Sequence, residues 1–252
     1  MKLLTLARNL QRRKAREREG LFVAEGVRAV EELLRSGLVI HGALASPLLA
    51  ESERGAALAA ALSGRGVDGV TVSESEFASA AGTDSPQGIL AIAEAPRREL
   101  AGLELGTQAR LLLLDAIQDP GNVGTIVRTA AALGATATIA LPGTVDLWNA
   151  KVVRSSMGAL FTHPAISCGT DELESFVGRT GLVVWGADAG GETLGATSPP
   201  DRLAIALGNE GNGLSPFVAQ LATRTVGVPI GSGIESLNVA VSAGIFLYEL
   251  RL

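Results

Sequence analysis

Three apolar runs in the second half of the chain each lead into a polar, glycine-rich loop. The runs cover residues 111–114, 203–207 and 226–229, and each is apolar enough for a strand buried in a parallel sheet. Helical segments follow the loops, and this alternation predicts an α/β fold with a parallel sheet. Because the carboxyl ends of parallel strands share one edge of the sheet, we expect the three loops to meet there and to form a site.

The third loop passes into a helix that begins with polar side chains. Ser236 and Asn238 flank Leu237 just before an apolar helical segment. A helix N-terminus has unpaired N–H groups and a partial positive charge that can hold a ligand. A glycine-rich approach lets that ligand come close to the backbone. Residues 226–252 are therefore interpreted as half of an active site.

The first half of the chain alternates shorter strands and helices, which predicts a separate small α/β unit. Residues 94–106 are charged, rich in turn-forming residues and without an apolar period. Together these patterns predict an N-terminal domain at residues 1–95, a linker at 96–108 and a second domain at 109–252.

Composition excludes several classes of protein. The single cysteine, Cys168, rules out an internal disulfide framework, and with only two histidines a metal site is not expected. No window reaches the roughly 18 uninterrupted apolar residues that a membrane span needs. Residues 1–18 also lack the apolar core of a signal peptide. We therefore expect a cytoplasmic protein without membrane contact.

Basic residues are concentrated at the beginning of the chain, although the formal net charge is −5. Residues 1–18 hold seven Lys and Arg side chains against one acid, Glu17, which leaves a local charge of +6. Such a cluster favours contact with phosphates, and a solvated helix face is the alternative. The predicted phosphate-binding residues are Arg12, Arg13, Lys14, Arg16 and Arg18.

Three ordered motifs make the second half of the chain resemble a known family. They are N-x-G-x-x-x-R at residues 122–128, L-G-N-E-G-N-G-L-S at 207–215 and V-P-I-x-x-x-x-x-S-L-N-V-A-V at 228–241. In order and spacing they resemble the motifs of the SpoU–TrmH class of SPOUT RNA methyltransferases. The N-terminal pieces R-R-K-A-R, G-L-F-V-A-E-G-V-R-A-V-E-E-L-L and S-P-Q-G-I-L-A-I-A are similar to the ribosomal-protein-like substrate-binding domain of many members.

The resemblance implies an activity, a cofactor and an assembly. Members transfer a methyl group from S-adenosylmethionine to a ribose 2′-hydroxyl of structured RNA. Large-subunit (23S) rRNA is the expected substrate here, with tRNA as the alternative. Members also fold as an α/β domain with a deep trefoil knot and act as homodimers, with the active site at the subunit interface.

The resemblance also assigns roles to residues of this sequence. Arg128 is implied as the group that accepts the 2′-hydroxyl proton, although a guanidinium ordinarily stays protonated, so a cation that holds phosphate is the alternative role. Asn122 would orient Arg128 or the ribose, Glu210 would position loop and substrate, and Ser236 and Asn238 would hold the ribose or phosphate near the methyl group. The residues implied around the cofactor are Ala187, Gly208, Val228, Ile230 and Leu237.

Two other classes of function compete with this interpretation. A non-catalytic RNA-binding protein on the same scaffold would not need the polar set at the three loops. A nucleotide-dependent oxidoreductase would need a G-x-G-x-x-G turn, which the glycines at residues 121 and 124 do not complete.

Overall fold

The computed structural model describes residues 2–83 and 85–251, so the predicted domain ends at Met1 and Leu252 lie outside the described residues. The chain divides into two compact units. The first unit contains residues up to Arg97 together with Trp148–Thr162, and the second contains Arg98–Leu147 and the residues from His163 onward.

Eleven helices and ten strands follow one another along the described chain. In order they are α1 (Lys2–Leu10), α2 (Arg13–Glu19), β1 (Leu21–Glu25), α3 (Val27–Ser36), β2 (Ile40–Ala45), α4 (Glu53–Gly64), β3 (Gly69–Thr71), α5 (Glu74–Ala78), β4 (Ile89–Glu94), β5 (Ala109–Leu114), α6 (Pro120–Ala132), β6 (Ala137–Ala140), α7 (Ala150–Ser155), α8 (Ala159–Thr162), β7 (Ala165–Ser167), α9 (Thr170–Thr180), β8 (Val183–Thr193), β9 (Arg202–Leu207), α10 (Pro216–Leu221), β10 (Arg224–Gly227) and α11 (Val239–Glu249).

The first unit is built on a four-stranded sheet in the order β1-β4-β2-β3. Strand β4 runs antiparallel to both of its neighbours, whereas β2 and β3 are parallel. All five positions of β1 are buried, and α1 adds Leu4, Ala7 and Leu10 to the same core because their spacing places them on one helix face.

A segment distant in sequence completes the core of the first unit. The ring of Phe22 on β1 is fully buried, with its centroid 4.5 Å from that of Trp148 and 5.6 Å from that of Phe161. Residues 148–162 therefore belong to the first unit, although the sequence division placed them in the second domain. No local pattern in the sequence signals this long-range packing.

The second unit contains a six-stranded, entirely parallel sheet in the order β10-β8-β9-β5-β6-β7. This confirms the predicted α/β class with a parallel sheet. All six positions of β5 are buried, as expected for a strand covered on both faces. The predicted linker belongs to this unit from Arg98 onward, because Leu100 is fully buried in its core and Leu103 and Leu105 pack against it.

Strand β8 is longer than the sequence predicts. A loop is expected at residues 186–191, but the strand continues through Thr193 and pairs with β10 across a shift in register. Glycine makes this possible, since a Cβ atom at Gly191 would lie only 2.7 Å from the carbonyl carbon of Thr225.

A buried arginine ties the last helix to the sheet. Arg110 on β5 donates from Nε to the carbonyl oxygen of Leu250, at 2.5 Å, and from Nη1 to the carbonyl oxygens of Pro200 and Asp201. Backbone carbonyls thus solvate the charge, while burial lowers the pKa of Arg110.

Among the described helices, none is long and apolar enough to cross a membrane.

The buried side chain of His163 should make the folding stability of the protein depend on pH. Its ring is buried, with Nε2 2.9 Å from the hydroxyl of Thr138, and burial, followed by the charge of Arg98, lowers its pKa to about 4. Since the unfolded-state pKa is near 6.5, the unfolded chain takes up this proton first as the pH falls. The stabilisation is complete above about pH 6.5 and is lost as the pH falls toward 4.

We expect the free energy of unfolding, measured by urea denaturation, to drop between pH 7 and pH 4.5 by about 2.5 kcal/mol more in the wild type than in His163→Gln. The variant is the necessary reference because carboxylates titrate in the same range. An equal pH dependence of the two proteins would contradict this assignment.

Candidate functional site

A cavity of about 430 Å³ lies in the second unit, where the loops after β9 and β10 meet strand β8 and the beginning of α11. Strands β10, β8 and β9 are parallel and adjacent in that order, so these loops leave the sheet at the same edge. The volume lies within the usual range for small-molecule sites, roughly 300–1,000 Å³.

Much of the cavity wall is backbone and small aliphatic side chains. Gly208 is required here, since a Cβ atom would lie 2.3 Å from the carbonyl carbon of Gly213. The structure brings all five residues predicted around the cofactor into the lining of this cavity. They are Ala187, Gly208, Val228, Ile230 and Leu237.

A chain of hydrogen bonds joins three of the predicted catalytic residues. Asn238 caps α11, because its Oδ1 accepts from the backbone N–H groups of Ala240, at 2.9 Å, and Val241, at 3.3 Å. Its Nδ2 donates to Oδ1 of Asn122, and Nδ2 of Asn122 donates to Oε1 of Glu210, each at 3.0 Å. The side-chain amides of Asn238 and Asn122 are therefore each held in one orientation, between the N-terminus of α11 and the carboxylate of Glu210.

The neighbouring side chains hold the loops that carry this chain of hydrogen bonds. Asp119 caps α6 by accepting the N–H of Asn122 at 2.7 Å. Asn209 donates to the carbonyl oxygen of Ala116 at 2.9 Å and accepts the N–H groups of Gly211 and Asn212. The loops after β5 and β9 are thus also joined through Asn209, the residue before Glu210.

Of the three residues in this chain of hydrogen bonds, Glu210 and Asn238 line the cavity and Asn122 does not. The other two predicted catalytic residues lie outside the chain of hydrogen bonds. Ser236 is exposed and lines the cavity. Arg128 is exposed on α6 and is not among the residues that line the cavity. It follows Asn122 by six residues, about 1.7 helical turns, so the two side chains leave the helix on different faces.

Four of the five predicted phosphate-binding residues are exposed on or next to α2. Arg13 forms an ion pair with Glu17, and Arg18 pairs with Glu19, each at 2.7 Å. Arg12 and Lys14 are also exposed. These four side chains can reach a ligand in solvent.

Arg16 has a structural position instead. It is buried, and its Nη1 donates to the carbonyl oxygens of Leu10, at 2.7 Å, and Gln11, at 3.0 Å. These carbonyls lie at the end of α1, where the helix itself supplies no donor. The guanidinium therefore closes α1 and faces away from solvent, which the sequence pattern alone did not reveal.

The chemistry of the cavity fits the cofactor that the resemblance implies. Among its described lining residues, Asp188 and Glu210 carry negative charge and none is basic. S-adenosylmethionine presents a positive sulfonium and an ammonium group, which carboxylates favour. Leu237, Val228 and Ile230 offer an apolar wall for an adenine ring. The acidic charges and the apolar surface of the lining thus suit S-adenosylmethionine.

Several lining residues were not predicted from the sequence. Val239, Ser242 and Phe246 line the cavity from α11, and their spacing of three and four residues places them on one helix face. Continuing the helical period from Asn238 would have found Ser242 and Phe246, four and eight residues further on. Asp188 also lines the cavity, next to the predicted residue Ala187.

The remaining reactive side chains have structural surroundings. Burial, followed by the charge of Glu172, raises the pKa of the Cys168 thiol to about 12, so the thiol is not ionised at neutral pH. Within residues 2–83 and 85–251, no group of three or more His, Cys, Asp or Glu side chains is arranged to hold a metal ion.

Two family models match the two halves of the chain. Residues 109–248 match the SpoU rRNA Methylase family, and residues 5–91 match the MRM3-like substrate binding domain. One relative is the 23S rRNA (guanosine(2553)-2′-O)-methyltransferase RlmP of Bacillus subtilis. It is 32% identical over 245 residues, which cover 97% of this chain and 94% of the relative.

Solved structures show the same fold. The SpoU methyltransferase AviRb from Streptomyces viridochromogenes, in complex with AdoMet, has a TM-score of 0.89 at 26% identity and covers 99% of this chain and 97% of its own. An AdoMet-bound rRNA methyltransferase from Sinorhizobium meliloti has a TM-score of 0.84 at 28% identity, with coverage of 99% and 94%. The family match spans more than half of the sequence, and the chain belongs to the SpoU rRNA methylase family.

Proposed function

We propose that this protein uses S-adenosylmethionine to methylate a ribose 2′-hydroxyl of 23S ribosomal RNA. The observation that carries the proposal is the hydrogen-bonded chain of Glu210, Asn122 and Asn238 at a cavity whose only charged lining residues among those described are acidic. The Bacillus subtilis relative, which is matched over 94% of its length, is named as a 23S rRNA 2′-O-methyltransferase, and this supports the substrate.

The bound cofactor would supply a methyl group already activated at a sulfonium sulfur. The chain must then align the ribose oxygen and stabilise the charge that develops there. An amide NH₂ group has two donors, and the hydrogen-bonded chain uses one on Asn122 and one on Asn238. We assign the second donor of each to the ribose or to a neighbouring phosphate, with the hydroxyl of Ser236 beside them.

The role of Arg128 follows from its charge. A guanidinium stays protonated at neutral pH, so we assign Arg128 as the cation that holds a phosphate and favours the ribose alkoxide by electrostatics. Its exposed position on α6 leaves it accessible to RNA. Direct proton acceptance by Arg128 is the competing role.

The first unit is proposed to bind the RNA. Arg12, Arg13, Lys14 and Arg18 are exposed and would supply phosphate contacts without base identity. We assign methyl transfer to the domain predicted at residues 109–252 and RNA binding to the domain predicted at 1–95, with residues 148–162 as a structural part of the latter.

We further propose a homodimer. Helix α11 leaves Val241 and Tyr248 more than half exposed, at 52% and 58%, and residues seven apart lie on the same face of a helix. Exposed apolar side chains on one face of this helix are compatible with the homodimer that the resemblance implies. The trefoil knot and the cytoplasmic location stay predictions, the knot from the resemblance and the location from composition.

Methyl transfer to RNA is the central prediction. Purified protein with radiolabelled S-adenosylmethionine should label an unmodified 23S rRNA transcript, and nuclease digestion should give a single 2′-O-methylated nucleotide. A tRNA transcript pool serves as the comparison and should stay unlabelled. Label on a base, on tRNA alone or on neither RNA would refute the proposal.

Asn238 allows its two roles to be separated. Asn238→Asp keeps an oxygen that caps α11 but replaces the Nδ2 donor to Asn122, so we expect normal stability and at least about a 100-fold loss of kcat. Asn238→Ala removes the cap as well and should also lower the free energy of unfolding by about 1 kcal/mol.

Steady-state methyl transfer and urea denaturation test both variants of Asn238. Near-normal kcat in Asn238→Asp would show that only the helix cap matters, and the catalytic assignment would then fail. S-adenosylmethionine titration by calorimetry distinguishes lost catalysis from lost cofactor binding.

The basic cluster predicts a salt-dependent contribution to RNA affinity. Arg12→Gln with Lys14→Gln should weaken binding of the 23S rRNA transcript and reduce the slope of log K against log salt by about 2, because two phosphate contacts are lost. The charge-preserving exchange Arg12→Lys with Lys14→Arg is the control and should bind normally. Unchanged affinity and slope in the Gln variant would argue for a solvated helix face.

A further inference from the structure

A second cavity, of about 300 Å³, lies in the first unit between α3 and α4. Its apolar lining residues, which we call the floor, are Leu34, Leu58 and two alanines of α4, Ala57 and Ala61. Its charged lining residues, which we call the rim, are Glu31, Arg35, Arg54 and Arg65. We call this feature the α3–α4 groove.

Contacts within the protein hold the three arginines in place. Arg54 donates to both carboxylate oxygens of Glu31, from Nε at 2.8 Å and from Nη2 at 2.6 Å. Arg65 donates to the carbonyl oxygen of Leu34 at 2.5 Å, and Arg35 donates to Glu32 at 2.7 Å. Each guanidinium has five N–H donors, so these contacts leave most of them available to a ligand.

The groove is a local concentration of positive charge on an acidic protein. The pKa of Glu31 is lowered, first by the hydrogen bond from Arg54 and further by the charges of Arg54, Arg35 and Arg28. With Arg28 and Glu32 included, four arginines face two glutamates, a balance of +2 on a chain whose net charge is −5. The local field therefore favours an anion.

Shape and charge together define the occupant. Alanine at positions 57 and 61 lets a ligand come close to α4, while the arginines stand at the rim. The planar guanidinium matches the oxygens of a phosphate group. We propose that the α3–α4 groove binds the phosphodiester backbone of the RNA substrate, as a contact additional to the basic cluster near α2. The proposal rests on the proposed function.

The location of the groove in the first unit favours RNA over an acidic protein segment as its ligand. The first unit matches a substrate-binding domain over residues 5–91, and both helices of the groove lie within that match. The described lining presents no exposed aromatic side chain on which a base could stack. Contact is therefore with the sugar–phosphate backbone, which supplies affinity and orientation without reading sequence.

A pair of double variants tests the groove. Ala57→Glu with Ala61→Glu places two carboxylates on its floor, and the control, Ala56→Glu with Ala60→Glu, adds the same charge at exposed positions of α4 that do not line it. Alanine and glutamate are both good helix formers, so both proteins should fold. Circular dichroism and calorimetric S-adenosylmethionine titration should give wild-type results for each.

Filter binding of an unmodified 23S rRNA transcript over a salt series measures the RNA affinity of both double variants and its dependence on salt. The groove variant should bind at least about tenfold more weakly and lose about 1–2 units of salt slope, whereas the control should stay within about twofold of wild type. Equal weakening in both variants, or no weakening in either, would overturn the proposal. An acidic protein as the true occupant would give the second of these results.

A single substitution repeats the test without added carboxylates. Arg35→Gln removes a rim cation in the last turn of α3, and Arg179→Gln removes an exposed arginine in the last turn of α9, in the second unit. Only the first should weaken RNA binding. If RNA binding depends on the groove but the wild-type protein transfers no methyl group, the proposed enzymatic function is wrong and the proposed RNA contact at the groove still holds.

Discussion

The site depends on a chain of hydrogen bonds that begins at the N-terminus of α11. The first N–H groups of that helix need an acceptor, and Asn238 supplies its carbonyl oxygen. This leaves its NH₂ group to face Asn122, which in turn must present its own NH₂ group to Glu210. A requirement of helix termination thus sets the direction of the side-chain amides of Asn238 and Asn122 toward Glu210. The contacts join residues 116 and 88 positions apart, so three loops hold one another in place.

Close backbone packing occurs at the cavity and in the strand beside it. Gly208, which lines the cavity, and Gly191, on strand β8, lie where a Cβ atom would be 2.3 Å and 2.7 Å from a neighbouring carbonyl carbon. The chain can approach itself there only without side chains. A pocket formed in this way offers backbone groups and small aliphatic surfaces, which explains why few of its lining residues are distinctive types.

The sequence predicted what depends on local pattern and missed what depends on distant packing. Apolar runs gave the parallel strands, and the motifs gave residues that the structure gathers around one cavity. The burial of Arg16 escaped prediction because a basic run looks the same whether one of its members closes a helix or faces solvent. Leu100 was assigned to a linker because its buried partners lie elsewhere in the chain. Arg128 shares a motif with Asn122, yet the helical period separates the two side chains.

The aromatic contact of Phe22 with Trp148 and Phe161 has a consequence for how such proteins diversify. The chain leaves the second unit after Leu147, completes the core of the first and returns at His163. An exchange of residues 1–97 between relatives at a single junction would surround the position of Phe22 with residues from two parents, and losing one aromatic ring from this contact would cost about 3–5 kcal/mol. A chimera that keeps the contact therefore takes residues 148–162 from the same parent as residues 1–97.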